Sequence, residues 1–239
     1  MRNGNSNTVH RLSQGLEILH EDTEILVVIK PAGLLSMAAG SQREKTAYWI
    51  LAEYLRKKGE KRRPAMVHRL DRDTSGVMLF VKSAVTKKKF MDHWDDMVVR
   101  RCYTALVEGA LPVGEGVIDA PLGEDAGGRV IVTRDGKPAI TRWKLRATGV
   151  LHKNKSAARQ IYSLLELELE TGRRNQIRAH LAHIGHPVAG DVKYRARSNP
   201  IGRLCLHAET IAFHHPADKT VMEFTSRGPS FVLSPLPPR

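Results

Sequence analysis

The sequence predicts an α+β fold built on a mixed, mostly antiparallel sheet flanked by helices and loops, and three observations carry that expectation. Short apolar runs of strand length recur along the chain. One segment, Leu165 to Glu170, alternates leucine with glutamate at a period of two, which puts the leucines on one face and leaves the glutamates half solvated. Three stretches carry helical spacing, and they are inserted among clustered strands, the pattern of an α+β domain.

Taken in order, the first strand is Glu24 to Lys30 (EILVVIK), an apolar run of the kind found in the centre of a sheet. Lys30-Pro31-Ala32-Gly33 reads as the turn that ends it, with Lys30 in a structural role. Thr46 to Leu55 has the spacing of an amphipathic helix. Lys57 to Arg63 (KKGEKRR) then forms a basic, solvated loop of a kind that also grips phosphates. The polar segment His68 to Gly76 runs straight into a strand at Val77 to Lys82, so it reads as a loop presenting side chains at a sheet edge. Ala84 to Trp94 is a second helix, and Arg101 to Val107 a further strand. The third helix is expected over Arg173 to Ile184, with Ile177, Leu181 and Ile184 on one face and Gly185 and Pro187 to stop it. On that helix Arg174 and Arg178, four apart, share a face beside the apolar stripe. Val221 to Thr225 is the last strand, and the proline-rich stretch Pro229 to Arg239 is expected to be irregular. No linker divides the chain, which reads as one compact domain over 21–226, preceded by a partly disordered extension (1–20) and followed by a tail (227–239).

A length of 239 residues with 41% hydrophobic content is enough for a sizeable core. The 38 Lys and Arg against 25 Asp and Glu give a net charge of +13, an excess that points to a polyanionic partner, a nucleic acid or another, although a merely soluble basic protein would carry it too. Two cysteines, Cys102 and Cys205, lie in no metal or disulfide pattern and read as small buried hydrophobes of a reducing compartment. Neither a signal core nor a stretch of membrane-spanning length occurs, so the expectation is a soluble, cytoplasmic protein, a monomer for want of any oligomer seam.

Two segments carry chemistry. The first is HRLDRDTSG, His68 to Gly76. It is not a kinase catalytic loop, because Leu70 interrupts His-Arg-Asp and no glycine-rich loop with a following lysine precedes it. Asp71 and Asp73 could form a paired carboxylate site, but no other acidic or histidine cluster with metal-ligand spacing lies nearby. The second segment is TGRRNQIRAHLAHIGHPVAGDVKY, Thr171 to Tyr194. Its His180, His183 and His186 invite a zinc reading, but no cysteine or carboxylate completes a ligand set; packing and hydrogen bonding at a helix end explain them better, and no metal or other cofactor is expected.

HRLDRDTSG, KPAGLLS (Lys30 to Ser36), RRCYTALVEG (Arg100 to Gly109), the Thr171 to Asp191 segment and RLCLHAE (Arg203 to Glu209) occur in one order, and together they resemble the RluA-type family of RNA pseudouridine synthases. The resemblance covers the chain from about Glu21 to Thr225. It implies the pseudouridine synthase catalytic fold, with an active-site cleft across the sheet, and a cofactor-free isomerisation of uridine to pseudouridine in ribosomal or transfer RNA. Asp71 corresponds to the nucleophile of HRLD, and Arg178 to the arginine that pairs with it. Tyr103 corresponds to the tyrosine that stacks on the target base, and Arg69 to an arginine that holds the flipped nucleotide. Arg174 would add a substrate contact, and Leu206 would line the core or the apolar wall of the base pocket. Two departures are visible. Asn175 stands where the family often has histidine, and only some twenty residues precede Glu21, which implies a stand-alone catalytic domain without the small S4-like RNA-binding domain of many relatives.

These roles make physical sense. A nucleophilic carboxylate must stay ionised where water is excluded, burial alone would raise its pKa, and a guanidinium counters that. A uracil must leave its stack before its glycosidic bond is remade, and an aromatic platform with cationic phosphate contacts holds it there. The alternatives are a non-catalytic RNA-binding protein of the same fold and a metal-dependent hydrolase using the histidines near His183. On spacing alone Tyr103 reads more readily as a core aromatic.

Overall fold

The computed structural model describes residues 10–38, 45–112, 114–151 and 160–234. In chain order the strands are β1 (His10–Arg11), β2 (Glu17–Glu21), β3 (Ile25–Lys30), β4 (Ala65–Met66), β5 (Ser75–Val81), β6 (Val98–Glu108), β7 (Glu115–Asp119), β8 (Leu122–Glu124), β9 (Val130–Val132), β10 (Ile140–Leu151), β11 (Ile161–Leu169), β12 (Leu206–His214), β13 (Val221–Thr225) and β14 (Leu233–Ser234). The helices are α1 (Ala47–Lys57), α2 (Ala84–Asp92), α3 (Trp94–Met97) and α4 (Gln176–His183).

The chain falls into two compact units, 1–101 with 208–228, and 102–207 with 229–239, so the expected 21–226 domain runs through both. It passes from one to the other inside β6, back inside β12, and once more between Gly228 and Pro229 after β13; the first two crossings fall in mid-strand, where no linker composition marks them.

In the first unit β2, β3 and β5 pair antiparallel, β4 adds to β5 and β13 to β12. Ile25, Val27, Val77, Leu79 and Val81 from the strands meet Phe90 of α2, Ile211, Phe213 and Phe224 in one core. Thr46 caps α1 as its spacing requires, its hydroxyl accepting the Trp49 N–H at 3.1 Å. Within the expected N-terminal extension, His10–Arg11 forms β1, β2 begins at Glu17, and Leu16 is fully buried. Residues 1–9 lie outside the described part.

In the second unit β11 pairs with β6 on one side and β10 on the other, and β7 and β14 flank β10. As the leucine–glutamate alternation predicts, Leu165 and Leu167 are buried while Glu166 and Glu168 are half-buried. The hairpin β8–β9 packs Leu122 and Val130 with Ala139, Ala179 of α4 and Tyr194. The tail is not wholly irregular, since Leu233 and Ser234 pair with β10; residues 235–239 lie outside the described part.

Candidate active site

The loop carrying Asp71 begins where β4 ends. Ala65 and Met66 pair with Val81 and Phe80 of β5, and at the next position a side chain replaces the strand, because Nε2 of His68 accepts the Leu79 N–H at 2.9 Å. The accepting nitrogen must be unprotonated, so Nδ1 carries the hydrogen. Burial pushes the His68 pKa down to about 3, and the Arg101 guanidinium adds to the effect. The Trp94 indole lies 5.8 Å from the His68 ring, with Arg101 5.6 Å from the indole on its own account. With its ladder bond taken over by an imidazole, the chain peels away from β5 and forms the exposed loop. At the loop's far end Gly76 has φ +126, and a Cβ there would lie 2.1 Å from the Ala208 carbonyl oxygen, so the approach of β12 admits only glycine.

The segment Lys30 to Ser36 holds both neighbours of Asp71. Lys30 is fully buried, and its ammonium donates to the carbonyls of Pro31 (2.9 Å), Leu34 (2.7 Å) and Arg72 (2.9 Å), one for each N–H. This is the structural lysine the sequence suggests. Gly33 donates its N–H to the same Arg72 carbonyl at 2.9 Å, and Arg72 Nε returns a bond to the Gly33 carbonyl at 3.1 Å. On the other side the Ser36 hydroxyl donates to the Leu70 carbonyl at 2.7 Å and accepts the Leu70 N–H at 3.3 Å. Thr74 closes the turn by donating its N–H to the Asp71 carbonyl at 3.2 Å. Asp71 itself is half-buried, and Arg69, Arg72 and Asp73 are exposed.

The other expected residues lie in the second unit. Arg178 is the third residue of α4, and the helix start is fixed by Gln176, which is buried, donates to the Ile140 carbonyl (2.9 Å) and Thr141 hydroxyl (3.1 Å), and accepts from Thr171 (2.8 Å) and the Arg173 N–H (2.9 Å). Arg178 is gripped bidentately by Asp191, Nε to Oδ2 at 2.6 Å and Nη2 to Oδ1 at 2.8 Å, and its guanidinium carbon lies 5.2 Å from the Tyr194 ring centroid. Tyr103 lies on β6 opposite Leu167 of β11 and is buried. Further along the same strand Leu106 donates to the Cys205 carbonyl at 3.1 Å and accepts from Ala189 at 2.9 Å, so β6 ties the segments leading to Asp191 and to Leu206. Leu206 is buried.

Arg174 requires a correction. The helix starts at Gln176, not at Arg173, because Asn175 before it adopts a left-handed conformation (φ 52), one that asparagine tolerates better than most residues. Arg174 therefore shares no helix face with Arg178. Its Nη2 donates to the Gly128 carbonyl at 2.7 Å and pairs with Glu124 at 2.9 Å, on the β8–β9 hairpin. The three histidines are also dispersed: His180 is buried and bonded to Thr141 and to the Ala120 carbonyl, His186 bonds the Glu108 carbonyl, and His183 is exposed. Among the described residues no group of three or more His, Cys, Asp or Glu is arranged to hold a metal ion.

Asp191 and Tyr194 are the residues that sequence reasoning passed over. Asp191 directly follows a glycine and stands three residues before the tyrosine, in a chain of net charge +13, and nothing in that spacing alone names its partner.

Known proteins resemble the chain along most of its length. A family model described as RNA pseudouridylate synthase matches residues 24–183, a span that contains Asp71, Tyr103 and Arg178. An uncharacterized RNA pseudouridine synthase of Bacillus subtilis (strain 168) is 37% identical over 203 residues, covering 84% of this chain and 65% of the relative. The ribosomal large subunit pseudouridine synthase D of Pseudomonas aeruginosa is 34% identical over 234 residues, covering 91% and 70%. The chain thus spans about two thirds of the length of these relatives. Among solved structures, human RNA pseudouridylate synthase domain containing 1 superimposes with a TM-score of 0.70 at 21% identity, covering 96% of this chain and 87% of that one, which supports the fold.

Proposed function

Because the chain belongs to the RNA pseudouridylate synthase family, we propose that it isomerises uridine to pseudouridine in ribosomal or transfer RNA with Asp71 as the nucleophile. The observation that carries this reading is the Asp71 loop, in which a half-buried carboxylate sits between two residues whose backbones are clamped by Lys30, Gly33 and Ser36. Such clamping removes the reorganisation that would otherwise oppose attack on a bound base. Arg178 is the cation that serves the nucleophile, Tyr103 the platform for the extruded uracil, and Leu206 part of its apolar wall. The exposed guanidinium groups of Arg69 and Arg174 contact the RNA backbone.

In the reaction the bond from ribose C1′ to uracil N1 breaks and a bond from C1′ to C5 forms. N1 ends with a proton, and the hydrogen on C5 is lost to solvent. Asp71 adds to C6 of the ring or assists departure of the base, and is regenerated either way. The enzyme works as a cytoplasmic monomer; among the described residues no helix is long and apolar enough to cross a membrane.

The test uses ribosomal and transfer RNA carrying tritium at C5 of uridine, from which each isomerisation releases one tritium to water. Asp71→Asn is expected to lower release more than about 1,000-fold, as loss of a covalent nucleophile does, with RNA affinity and thermal midpoint close to those of the wild type. Turnover retained by that variant would remove Asp71 from the mechanism, and a wild-type protein that binds RNA without releasing tritium would favour the non-catalytic binder.

A further inference from the structure

We propose that Asp191 is a positioning residue that fixes the direction in which Arg178 presents its guanidinium. The proposal rests on the reading of Arg178 as the cation that serves Asp71, and it assigns the group that makes that cation rigid.

Arg178 is badly placed to hold itself. It sits in the first turn of α4, where the helix end carries a partial positive charge that disfavours a cation. Its side chain also has many rotamers, and ordering them costs about 2 kcal/mol of conformational entropy. Asp191 answers both problems. Its carboxylate faces Nε and Nη2 at 2.6 and 2.8 Å, a two-point contact that fixes the guanidinium plane and turns the Nη1 edge away from Asp191. A tyrosine sets the remaining freedom: the Tyr194 ring centroid lies 5.2 Å from the guanidinium carbon, and its hydroxyl is tied to the Val130 carbonyl at 2.9 Å.

The carboxylate is itself immobile. Oδ1 accepts the Tyr194 N–H at 3.3 Å, the Asp191 N–H donates to the Val188 carbonyl at 3.0 Å, and the Asp191 carbonyl accepts from Tyr194 at 3.1 Å and Ala196 at 3.0 Å. Gly190 just before it has φ +80, and a Cβ there would meet the Arg203 carbonyl oxygen at 2.2 Å, so the backbone of this turn admits one course. The Asp191 side chain is 1% exposed and that of Arg178 11%, which leaves water almost no access to the shared hydrogen bonds. Buried ion pairs are poor stabilisers compared with apolar side chains of the same volume. A pair this well built therefore calls for a role beyond stability, and the orientation of a working cation supplies one.

The experiment compares Asp191→Asn, Arg178→Ala and Arg178→Lys in the tritium-release assay on the same labelled RNA, with arginine side-chain NMR on the 15N-labelled full chain. Asn keeps the shape and one acceptor for the Tyr194 N–H but loses the charge and the two-point contact. Asp191→Asn is expected to lower kcat about 10- to 100-fold, the cost of a small misplacement of a reacting group, with KM changed less than about threefold because substrate contacts are untouched. In the wild type, one Nε–H resonance that disappears in Arg178→Lys should exchange slowly with water, and in Asp191→Asn that resonance should exchange fast. If Arg178→Ala lowers kcat while Asp191→Asn leaves it unchanged, the positioning role of Asp191 is wrong and the reading of Arg178 stands. If Arg178→Ala has no effect either, the reading of Arg178 fails first and this proposal with it. Should Asp191→Asn not fold, the wild-type spectrum still decides, since a fast-exchanging Arg178 Nε–H would overturn the proposal.

Discussion

Around Asp71 the surrounding bonds reach the backbone of its neighbours, Leu70 through Ser36 and Arg72 through Lys30 and Gly33. Around Arg178 they reach the side chain itself, through Asp191 at its edge and Tyr194 on its face. The difference follows from what each residue is proposed to do. A carboxylate that forms a bond to carbon must meet that carbon in one orientation, and a scaffold that fixes the peptide units on either side steadies the loop that carries it. A guanidinium that acts only by its field and its N–H groups is not consumed, and can be gripped directly. The nucleophile's loop is thus held by a serine hydroxyl, a glycine amide and one buried ammonium, and the cation by a full ion pair.

The strongest way to break this contrast is to remove the ammonium. Lys30→Met keeps the length and apolar stem but takes the donor from the Pro31, Leu34 and Arg72 carbonyls, with Arg72 still bonded to Gly33. Leaving buried carbonyls without a donor costs about 1–3 kcal/mol each, so a loss of roughly 3 kcal/mol is expected overall. For a chain of this size that is a fall in thermal midpoint of about 6–12 °C. Turnover should fall as well at temperatures where the protein is still folded. A variant as stable as the wild type would show that the clamp is not held by Lys30.

A second effect, smaller and set by pH, distinguishes the two regions further. The His68 pKa is pushed from its ordinary 6.5 to about 3 in the fold, chiefly by burial. The unfolded chain therefore takes up a proton at His68 below pH 6.5 that the folded chain refuses, and stability is full above that pH and lost progressively as pH falls toward 3. The loss is at most about 1.4 kcal/mol per pH unit, and partial exposure of the ring makes this an upper bound. Denaturant unfolding at pH 7.5 and pH 5 should show a drop for the wild type that is smaller in His68→Gln, whose amide oxygen can still accept the Leu79 N–H. Equal drops in both proteins would assign the acid sensitivity elsewhere.

The elements easiest to read from the sequence are those whose own residues decide them. Val221–Thr225 matches its expected bounds, and the core strands β3 and β5 and the helix α1 fall within a residue or two of theirs, because apolar runs and a threonine cap act locally. The longest strand, β10, was not foreseen: Ile140–Leu151 carries Thr, Arg, Trp and Lys between its apolar residues, and its strand character comes from pairing with β7 and β11. The same limit applies to the candidate site. Asp71 stands in a motif that names itself, and the structural part of Lys30 was legible as a turn. Asp191, His68 and Ser36 act through partners far along the chain, 13, 11 and 34 residues away, and no local pattern announces such a bond.

The smallest expected effect concerns Arg174, which stands four residues before Arg178 yet has none of its burial. Its guanidinium pairs with Glu124 across a surface where both side chains are about half exposed, 45% and 58%. Such a pair contributes at most about 1 kcal/mol, so Arg174→Ala should move the thermal midpoint by only a few degrees. RNA binding decides what else the residue does. Affinity for ribosomal or transfer RNA should fall steeply with added salt, as expected for a chain of net charge +13 releasing counterions from phosphates. If Arg174 touches a phosphate, its removal lowers the slope of log affinity against log salt by about one and weakens binding to all sequences alike. If it serves only to tie the Gly128 turn to the start of α4, the slope stays as it was and the hairpin alone loosens. An unchanged slope would confine the proposed RNA contacts near α4 to other cations, and would make Arg174, like Asp191, a residue that acts by holding its neighbours in place.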